Sequence, residues 1–428
     1  MFNALRMLAT PSKITRMKRF LTACLSFALL APPLGAQSSE SHLERARRIL
    51  RSTPLVDGHN DLPWAIRRAA VSPMDVEAYD LGKKTAGHTD LARLRTGMLG
   101  AQFWSVYIPG DIADSGFARV QLEQIDIGRR IVAKYPQFQW ALTAPAIRAA
   151  FRNRRIGSLL GVEGGHAIEN SLGALRVYYD LGVRYMTLTH NVTLDWADAA
   201  TGEQRHGGLT PFGEEVVREM NRLGMLVDLS HVSPGTMSDA LNVTQAPVIF
   251  SHSSARAIAD VPRNVPDSIL RRLPSNGGVV MVTFVPGFIS PEIVARARRR
   301  QTAEGETRTR LGGDTAGVGR ELAAWDSANA MPRATLSQVA DHIEHIRRVA
   351  GPDHVGIGGD FDGIDEVVLG LEDVSTYPAL FAELSRRGWA ERDLRKLAGE
   401  NVLRVLERAD LVAKRLQKAG PPSVMKIR

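Results

Sequence analysis

The segment Thr53-Pro54-Leu55-Val56-Asp57-Gly58-His59-Asn60-Asp61 joins a short apolar run to a histidine and an aspartate. An open doubly wound sheet would carry a glycine-rich phosphate loop after its first strand, and this segment has none. His59 and Asp61 stand two residues apart, which places both side chains on the same side of an extended chain. The segment therefore predicts a strand that ends in two candidate metal ligands.

Seven similar runs follow along the chain, each bounded by Gly or Pro and followed by a segment with helical periodicity. With the first run, they predict strands at 53–56, 99–106, 157–162, 184–188, 225–229, 248–250, 279–284 and 354–357. Strands that alternate with helices pair in parallel through crossover connections. Eight such units in 428 residues predict an α/β protein with a (β/α)8 TIM-type barrel.

Ionisable side chains also follow five of the other seven predicted strands. Glu163 comes directly after the third strand, and His190, His231, His252 and Asp360 follow the fourth, fifth, sixth and eighth. The carboxyl ends of the strands converge on one mouth of such a barrel, where active sites are built. Each residue alone could be an ordinary turn or hydrogen-bonded residue, but their joint placement predicts a single site.

Imidazoles and carboxylates without a thiolate suit zinc or a related divalent ion in a hydrolytic site. The set exceeds the three protein ligands of a typical mononuclear catalytic zinc, which favours two zinc ions per subunit. A bridging carboxylate would hold such a pair about 3.5 to 4 Å apart.

The first 36 residues carry five basic residues and no acidic one, and they include an apolar run at 20–34. This pattern is typical of a secretory signal peptide cut after Ala36, and it predicts an exported protein, periplasmic or secreted. The segment Leu21-Thr22-Ala23-Cys24 resembles a lipoprotein cleavage box, but it has almost no apolar run before it, so a lipid anchor is the weaker alternative. The run is too short to span a membrane.

Without residues 1–36, 49 basic and 46 acidic residues remain, so most of the formal charge of +8 belongs to the predicted signal. A nearly balanced mature surface argues against nucleic acid as a partner. The single cysteine, Cys24, lies in the same segment, so the mature chain would contain neither a disulfide nor a thiolate metal ligand.

The sequences around the candidate ligands resemble the membrane dipeptidase (renal dipeptidase) family of binuclear zinc peptidases, which have an amidohydrolase-type barrel. The resemblance runs from about Arg51 to about Leu406. The stretches that carry it are 56–64 (VDGHNDLPW), 102–107 (QFWSVY), 162–166 (VEGGH), 188–190 (LTH), 228–233 (DLSHVS), 250–254 (FSHSS), 263–267 (RNVPD) and 358–363 (GGDFDG).

The resemblance implies a zinc-dependent dipeptidase with a defined set of metal ligands. His59 and Asp61 match the ligands of one zinc ion. His231 and His252 match the ligands of the other, and Glu163 matches the bridging carboxylate. A hydroxide that bridges the two ions would attack the scissile carbonyl.

His190, Arg263 and Asp360 match the residues of the family that contact substrate. His190 would stabilise the developing oxyanion. Asp360 would carry the proton from the attacking water to the leaving amine, and it is also a candidate zinc ligand. Arg263 would bind the free C-terminal carboxylate of a dipeptide, which would favour dipeptides over longer peptides.

The resemblance extends the expected substrates to dipeptides with a C-terminal D-residue and to β-lactams such as carbapenems. An alternative is an amidohydrolase that deacylates N-acyl amino acids, because such substrates also offer a carboxylate to Arg263. A third reading, a catalytically silent periplasmic binding protein, is disfavoured by the intact ligand set.

We expect residues 37–415 to form one dipeptidase domain, followed by a C-terminal tail at 416–428. The Arg-rich stretch at 291–332 is longer than expected between the last two strands, and we expect a solvated loop insertion on the active-site side. The alternative is a lid or a dimer contact. A homodimer would have to form by packing, without an inter-subunit disulfide.

Overall fold

Parallel strands build one sheet in the computed structural model, which describes residues 40–112 and 116–427. They are β1 (Leu55–Asn60), β2 (Leu99–Ser105), β3 (Phe138–Trp140), β4 (Ile156–Glu163), β5 (Val183–Thr187), β6 (Leu226–Asp228), β7 (Ile249–Phe250), β8 (Val279–Val282) and β9 (Val355–Ile357). All except β3 close into a barrel, because β9 pairs with β1 at Asp57 and Ile357 and β2 pairs with β4. The predicted (β/α)8 barrel is confirmed.

The short strand β3 was not predicted from the sequence. It pairs with residues 156–158 of β4, and β5 pairs with the same edge of β4 further along the strand. The opposite edge of β4 pairs with β2. Of its three residues only Phe138 is buried, so it has no apolar run that could signal a strand. It lies at the amino-terminal end of β4, away from the mouth of the barrel.

Helices surround the barrel and connect its strands. They are α1 (His42–Ser52), α2 (Leu62–Arg67), α3 (Leu91–Thr96), α4 (Phe117–Lys134), α5 (Ala144–Arg152), α6 (Leu172–Asp180), α7 (Pro211–Leu223), α8 (Pro234–Val243), α9 (Asp267–Leu270), α10 (Leu273–Asn276), α11 (Pro286–Ile289), α12 (Pro291–Leu311), α13 (Thr315–Ala328), α14 (Leu336–Ala350), α15 (Tyr377–Arg386), α16 (Glu391–Arg395) and α17 (Asn401–Ala419). Side chains such as Ser171, Thr210 and Thr335 cap their amino termini.

Two glycines let β1 and β9 approach the end of β7 closely. A Cβ atom at Gly58 would lie 2.5 Å from the Ser251 carbonyl oxygen, and one at Gly358 would lie 1.8 Å from the same atom. No side chain fits at either position. This close approach brings the residues that follow β1, β7 and β9 together at the mouth.

The stretch at 291–332 forms the helices α12 and α13, so the expected irregular loop was wrong. Its arginines are largely paired within the helices and between them: Arg296 and Arg300 both bind Asp326, and Arg308 binds Glu304. The guanidinium of Arg296 also lies 5.1 Å from the ring centre of Trp325. The basic residues therefore stabilise a helical hairpin instead of a solvated loop.

The last helix, α17, continues to Ala419, so the expected domain boundary at 415 falls inside it. Beyond it, Arg176 donates a hydrogen bond to the Ser423 carbonyl oxygen at 2.9 Å. Residues 41–428 form one compact unit. The predicted signal peptide and Cys24 lie outside the described residues. In the described part, no helix has the length and apolar character that crossing a membrane requires.

Candidate metal centre

The structure brings all eight predicted site residues to the mouth formed by the carboxyl ends of the strands. A cavity of about 710 Å³ opens there, a size typical of small-molecule sites. The predicted residues that line it are Asp61, Glu163, His190, His231, His252, Arg263 and Asp360. His59 lies fully buried beneath them, in contact with Asp61 and near Glu163.

Glu163 stands at the centre of the site with its two oxygens turned toward different partners. Oε1 lies 3.0 Å from His231 Nε2 and 3.3 Å from His252 Nε2. Oε2 lies 3.6 Å from His59 Nε2. One carboxylate is therefore shared by two groups of candidate ligands, as a bridging ligand requires.

A second group of candidate ligands forms around His59. Its Nε2 atom lies 3.1 Å from Asp61 Oδ2 and 3.8 Å from Asp360 Oδ1. The ligand atoms of His59, Asp61 and Asp360 lie within 4.8 Å of one another. The same holds for two further groups of three residues, which are His59, Glu163 and His252, and Glu163, His190 and His231. Asp61 Oδ1 is buried without a hydrogen-bond partner in the described structure, which is expected of an oxygen that faces a cation.

A chain of hydrogen bonds determines which nitrogen of His252 carries a proton. Asp228 accepts from the Thr187 hydroxyl, from two backbone N–H groups and, at 2.5 Å, from the Ser251 hydroxyl. Since the Ser251 proton points to Asp228, its oxygen accepts from His252 Nδ1 at 2.8 Å. The Nε2 atom of His252 is then left with a lone pair that faces the site.

The same reasoning applies to His231, whose Nδ1 atom donates to Asn191 Oδ1 at 3.1 Å. Its Nε2 atom lies 2.9 Å from His252 Nε2. Burial, together with the nearby charge of Arg263, lowers the pKa of both histidines well below the usual value, so both rings are neutral. Two lone pairs and a carboxylate oxygen that converge in this way fit a metal cation.

The carboxylates of the site support the same conclusion. Burial raises the pKa of Asp61 and, more strongly, that of Asp360, and the neighbouring Glu163 carboxylate adds to both effects. Burial alone would lower the pKa of His59, but Tyr185 and the carboxylates of Asp61 and Glu163 raise it well above the usual value. Despite its burial, Glu163 has a pKa well below the usual value, because of the charge of His59 and the short contacts that its carboxylate makes with the surrounding histidines. A bound cation would also favour the ionised forms of Asp61 and Asp360.

Arg263 lies at the edge of the cavity and is 4% exposed. Its guanidinium lies 5.2 Å from the ring centre of Phe288 and donates to the His252 carbonyl oxygen at 3.4 Å. Its Nε and Nη1 atoms have no partner among the described residues. Burial lowers its pKa to about 10, so the group remains charged at neutral pH and can bind a carboxylate.

His190 lies between the ring of His231, at 4.3 Å, and the ring of Tyr107, at 4.9 Å. Burial lowers its pKa to about 4. Its Nε2 atom lies 3.9 Å from Glu163 Oε1, beyond hydrogen-bond distance. A neutral imidazole at this position can offer a hydrogen bond to an oxygen of a bound substrate.

Several residues of the site were not predicted from the sequence. Asp57 and Asp228 are fully buried. Asp57 accepts a hydrogen bond from the backbone of the ligand His59, and Asp228 accepts one from the backbone of Ser230, beside the ligand His231. Trp64 and Tyr107 line the cavity, with their ring centres 4.9 Å apart. The two aspartates could have been identified in the sequence because each is an acidic residue that follows apolar residues of a predicted strand.

His166, three residues after Glu163, belongs to neither group of ligands. Its Nε2 atom donates to the Ile108 carbonyl oxygen at 2.9 Å, and burial lowers its pKa. His342 is likewise held by backbone groups, at 3.0 and 2.9 Å. Both histidines therefore have a structural role among the described residues.

Known proteins share this fold. The chain is similar to a metallo peptidase from Rhodobacter sphaeroides liganded with a phosphinate mimic of the dipeptide L-Ala-D-Ala, with 25% identity and a TM-score of 0.66 over 83% of this chain and 99% of that one. It is also similar to the probable dipeptidase PvdM from Pseudomonas aeruginosa, with 23% identity and a TM-score of 0.73 over 87% and 99%. An amidohydrolase from Pseudomonas aeruginosa is 24% identical, with a TM-score of 0.64 over 85% and 98%.

A family model described as membrane dipeptidase (Peptidase family M19) matches residues 43–420, nearly all of the described chain. The matched region contains the closed barrel and every candidate ligand at its mouth. The chain therefore belongs to the membrane dipeptidase family, and it is a metal-dependent hydrolase of peptide bonds.

Proposed function

We propose that the protein hydrolyses dipeptides that carry a free C-terminal carboxylate, and that it uses two zinc ions bridged by Glu163. The observation that carries the proposal is the division of the Glu163 carboxylate between His59 on one side and the His231–His252 pair on the other. His59, Asp61 and Glu163 would hold one ion, and Glu163, His231 and His252 the other. When bound, such ions lower the pKa of water and polarise a carbonyl group.

The protein side chains would orient the substrate and move its protons. Arg263 would bind the C-terminal carboxylate, since it is buried and charged and its Nε and Nη1 atoms have no partner among the described residues. His190 would donate a hydrogen bond to the scissile carbonyl oxygen. Asp360, buried and with a raised pKa, would accept a proton from the attacking water and return it to the leaving amine.

We include dipeptides with a C-terminal D-residue among the substrates. The support is the Rhodobacter sphaeroides metallo peptidase, which is liganded with a mimic of L-Ala-D-Ala. The deacylation of N-acyl amino acids remains the second candidate, because Arg263 would bind their carboxylate equally well.

A substrate panel and metal analysis of the purified protein test the proposal together. The panel contains L,L-dipeptides, L,D-dipeptides, N-acyl amino acids and a carbapenem. We expect turnover of dipeptides and two zinc ions per chain by plasma mass spectrometry. Deacylation without dipeptide turnover would favour the second candidate, and turnover with one ion per chain would reject the binuclear site.

We also propose that the protein is exported after removal of residues 1–36 and that any homodimer forms by packing. The basic and apolar pattern of that segment supports export. Cell fractionation with N-terminal sequencing of the mature protein tests the first point. Analytical ultracentrifugation with and without reductant tests the second.

A further inference from the structure

A second cavity lies at the opposite end of the barrel from the metal centre. Its volume is about 560 Å³, within the range of about 300–1,000 Å³ that is usual for small-molecule sites. Its wall includes Leu99, the first residue of β2, and Ile156, the first residue of β4. Because the strands are parallel, both residues mark the amino-terminal end of the barrel, whereas the metal centre lies at the carboxyl ends.

The floor of this cavity, here called the basal cavity, is apolar. Its apolar residues are Leu50, Leu91, Met98, Leu99, Phe151 and Ile156. Leu50 and Leu99 are buried, and the others are half-buried, so hydrocarbon surface faces the cavity. A hydrocarbon chain placed here would leave water, which is favourable by the hydrophobic effect.

Four exposed arginines belong to the same wall: Arg51, Arg95, Arg154 and Arg155. None of them forms an ion pair among the described residues, and the lining contains no acidic residue. Elsewhere arginines are commonly matched, as for Arg387 with Asp341 and Glu344. The basal cavity therefore combines an apolar floor with unneutralised positive charge.

Helix geometry explains part of this arrangement. Arg51 and Arg95 lie in the last turns of α1 and α3, where positive charge interacts favourably with the helix dipole. Arg154 and Arg155 follow the carboxyl end of α5, just beyond its C-cap residue Asn153, so they also lie near the end of a helix dipole. Four guanidinium groups around one hydrocarbon surface match a ligand that carries both an apolar part and a negative charge.

We propose that the basal cavity binds an amphiphile with a carboxylate head and a hydrocarbon tail, of the medium-chain fatty acid class. The tail would lie against the floor formed by Leu91, Met98 and Phe151. The carboxylate would accept charge-assisted hydrogen bonds from the guanidinium groups at the rim, which offer donors in a planar fork. This site is separate from the metal centre, so the proposal does not depend on the substrate of the enzyme.

Titration calorimetry of the full-length protein with dodecanoate, below its micelle-forming concentration, tests the proposal. We expect one saturable site per chain, no binding of acetate and no binding of dodecyltrimethylammonium. Arg95→Glu/Arg154→Glu should weaken dodecanoate binding at least about tenfold, as loss of a charge-assisted hydrogen bond predicts. Arg299→Glu, at an exposed arginine of α12 outside the cavity, is the matched control and should bind normally.

Equal affinity for the cationic amphiphile, or unchanged affinity in the double variant, would overturn the proposal. An equal loss in Arg299→Glu would also overturn it, since binding would then reflect overall charge. If the double variant folds poorly, the single variants Arg95→Gln and Arg155→Gln replace it. As a second measurement, a photoreactive fatty acid should label residues 91–99 or 151–156, and labelling confined to other regions would contradict the assignment.

Discussion

The Nε2 atoms of His231 and His252 lie 2.9 Å apart, and neither carries the proton of its ring. Asn191 and Ser251 accept the Nδ1 protons, so two lone pairs face each other across a buried site. Without a cation this contact is unfavourable, because no proton lies between the two nitrogens. The hydrogen bonds behind the ligands therefore prepare the site for a metal ion, and their removal should be measurable.

Glu163→Gln keeps the size of the side chain but removes the shared charge. We expect the variant to lose bound metal and to lower dipeptide turnover by more than roughly 100-fold, because both groups of ligands depend on this carboxylate. Metal analysis and steady-state kinetics measure the two effects. Glu123→Gln, which alters a surface pair with Arg67, is the control. Normal metal content in Glu163→Gln would show that Glu163 does not bridge the ions.

Asp228→Asn should weaken metal binding without removing a ligand. The amide no longer accepts every hydrogen bond that Asp228 accepts, so Ser251 would no longer hold His252 in the required tautomer. Changes of this kind cost roughly 10–100-fold in metal affinity or activity. When activity is titrated with free zinc, the variant should need a higher zinc concentration to reach half of its maximal activity. At saturating zinc its activity should recover. A loss that zinc does not reverse would point to a folding defect instead.

Arg263→Met preserves much of the side-chain volume but removes the charge. The KM for dipeptides should rise, and kcat/KM should fall roughly 30-fold or more, because a carboxylate would lose a buried charged partner. The corresponding dipeptide amides lack that carboxylate, so their kcat/KM should be almost the same in the variant and in the wild type. They serve as the control substrates. Equal losses for acids and amides would place Arg263 outside carboxylate recognition.

His342 should make stability depend on pH. Burial lowers its pKa to about 4, while an unfolded chain has a value near 6.5. Protons therefore bind the unfolded chain more tightly in this range. The contribution of neutral His342 to the free energy of unfolding is fully present above about pH 6.5. It decreases by about 3 kcal/mol as the pH falls to about 4, and it does not change further at lower pH. Denaturant unfolding of His342→Gln should show a smaller loss on acidification, and an identical slope would reject the assignment.

Tyr377→Phe should destabilise the barrel near β1. The Tyr377 hydroxyl donates to Asp57 Oδ2, which also accepts from the Gly359 N–H group at 3.0 Å. Loss of one donor to a buried carboxylate costs about 1–3 kcal/mol in the free energy of unfolding. Urea denaturation compares this variant with Tyr179→Phe, whose hydroxyl makes no hydrogen bond within the described residues. Equal effects of the two changes would contradict the role of the Asp57 contact.

The predicted strands at 157–162 and 354–357 match β4 and β9 because their apolar runs are local and continuous. The first predicted strand, at 53–56, overlaps β1 only at Leu55 and Val56. The ligand residues could be found because each lies in the last residues of a strand or within a few residues of its end, and parallel strands bring their carboxyl ends to one mouth. The helical hairpin at 291–328 was missed because paired charges, which depend on helical spacing, resemble a solvated loop in composition.

The barrel, the position of its mouth and the chemical type of its ligands could all be predicted from local sequence patterns. The way those ligands are held became visible in the three-dimensional structure, as in the contacts of Asp228 with Ser251 and of Tyr185 with His59. The tertiary structure also placed around the basal cavity four arginines, from the ends of three helices, that form no ion pair within residues 40–112 and 116–427. Such contacts join residues far apart in the chain, and they depend on strand pairing and packing, which leave no periodic signal in the local sequence.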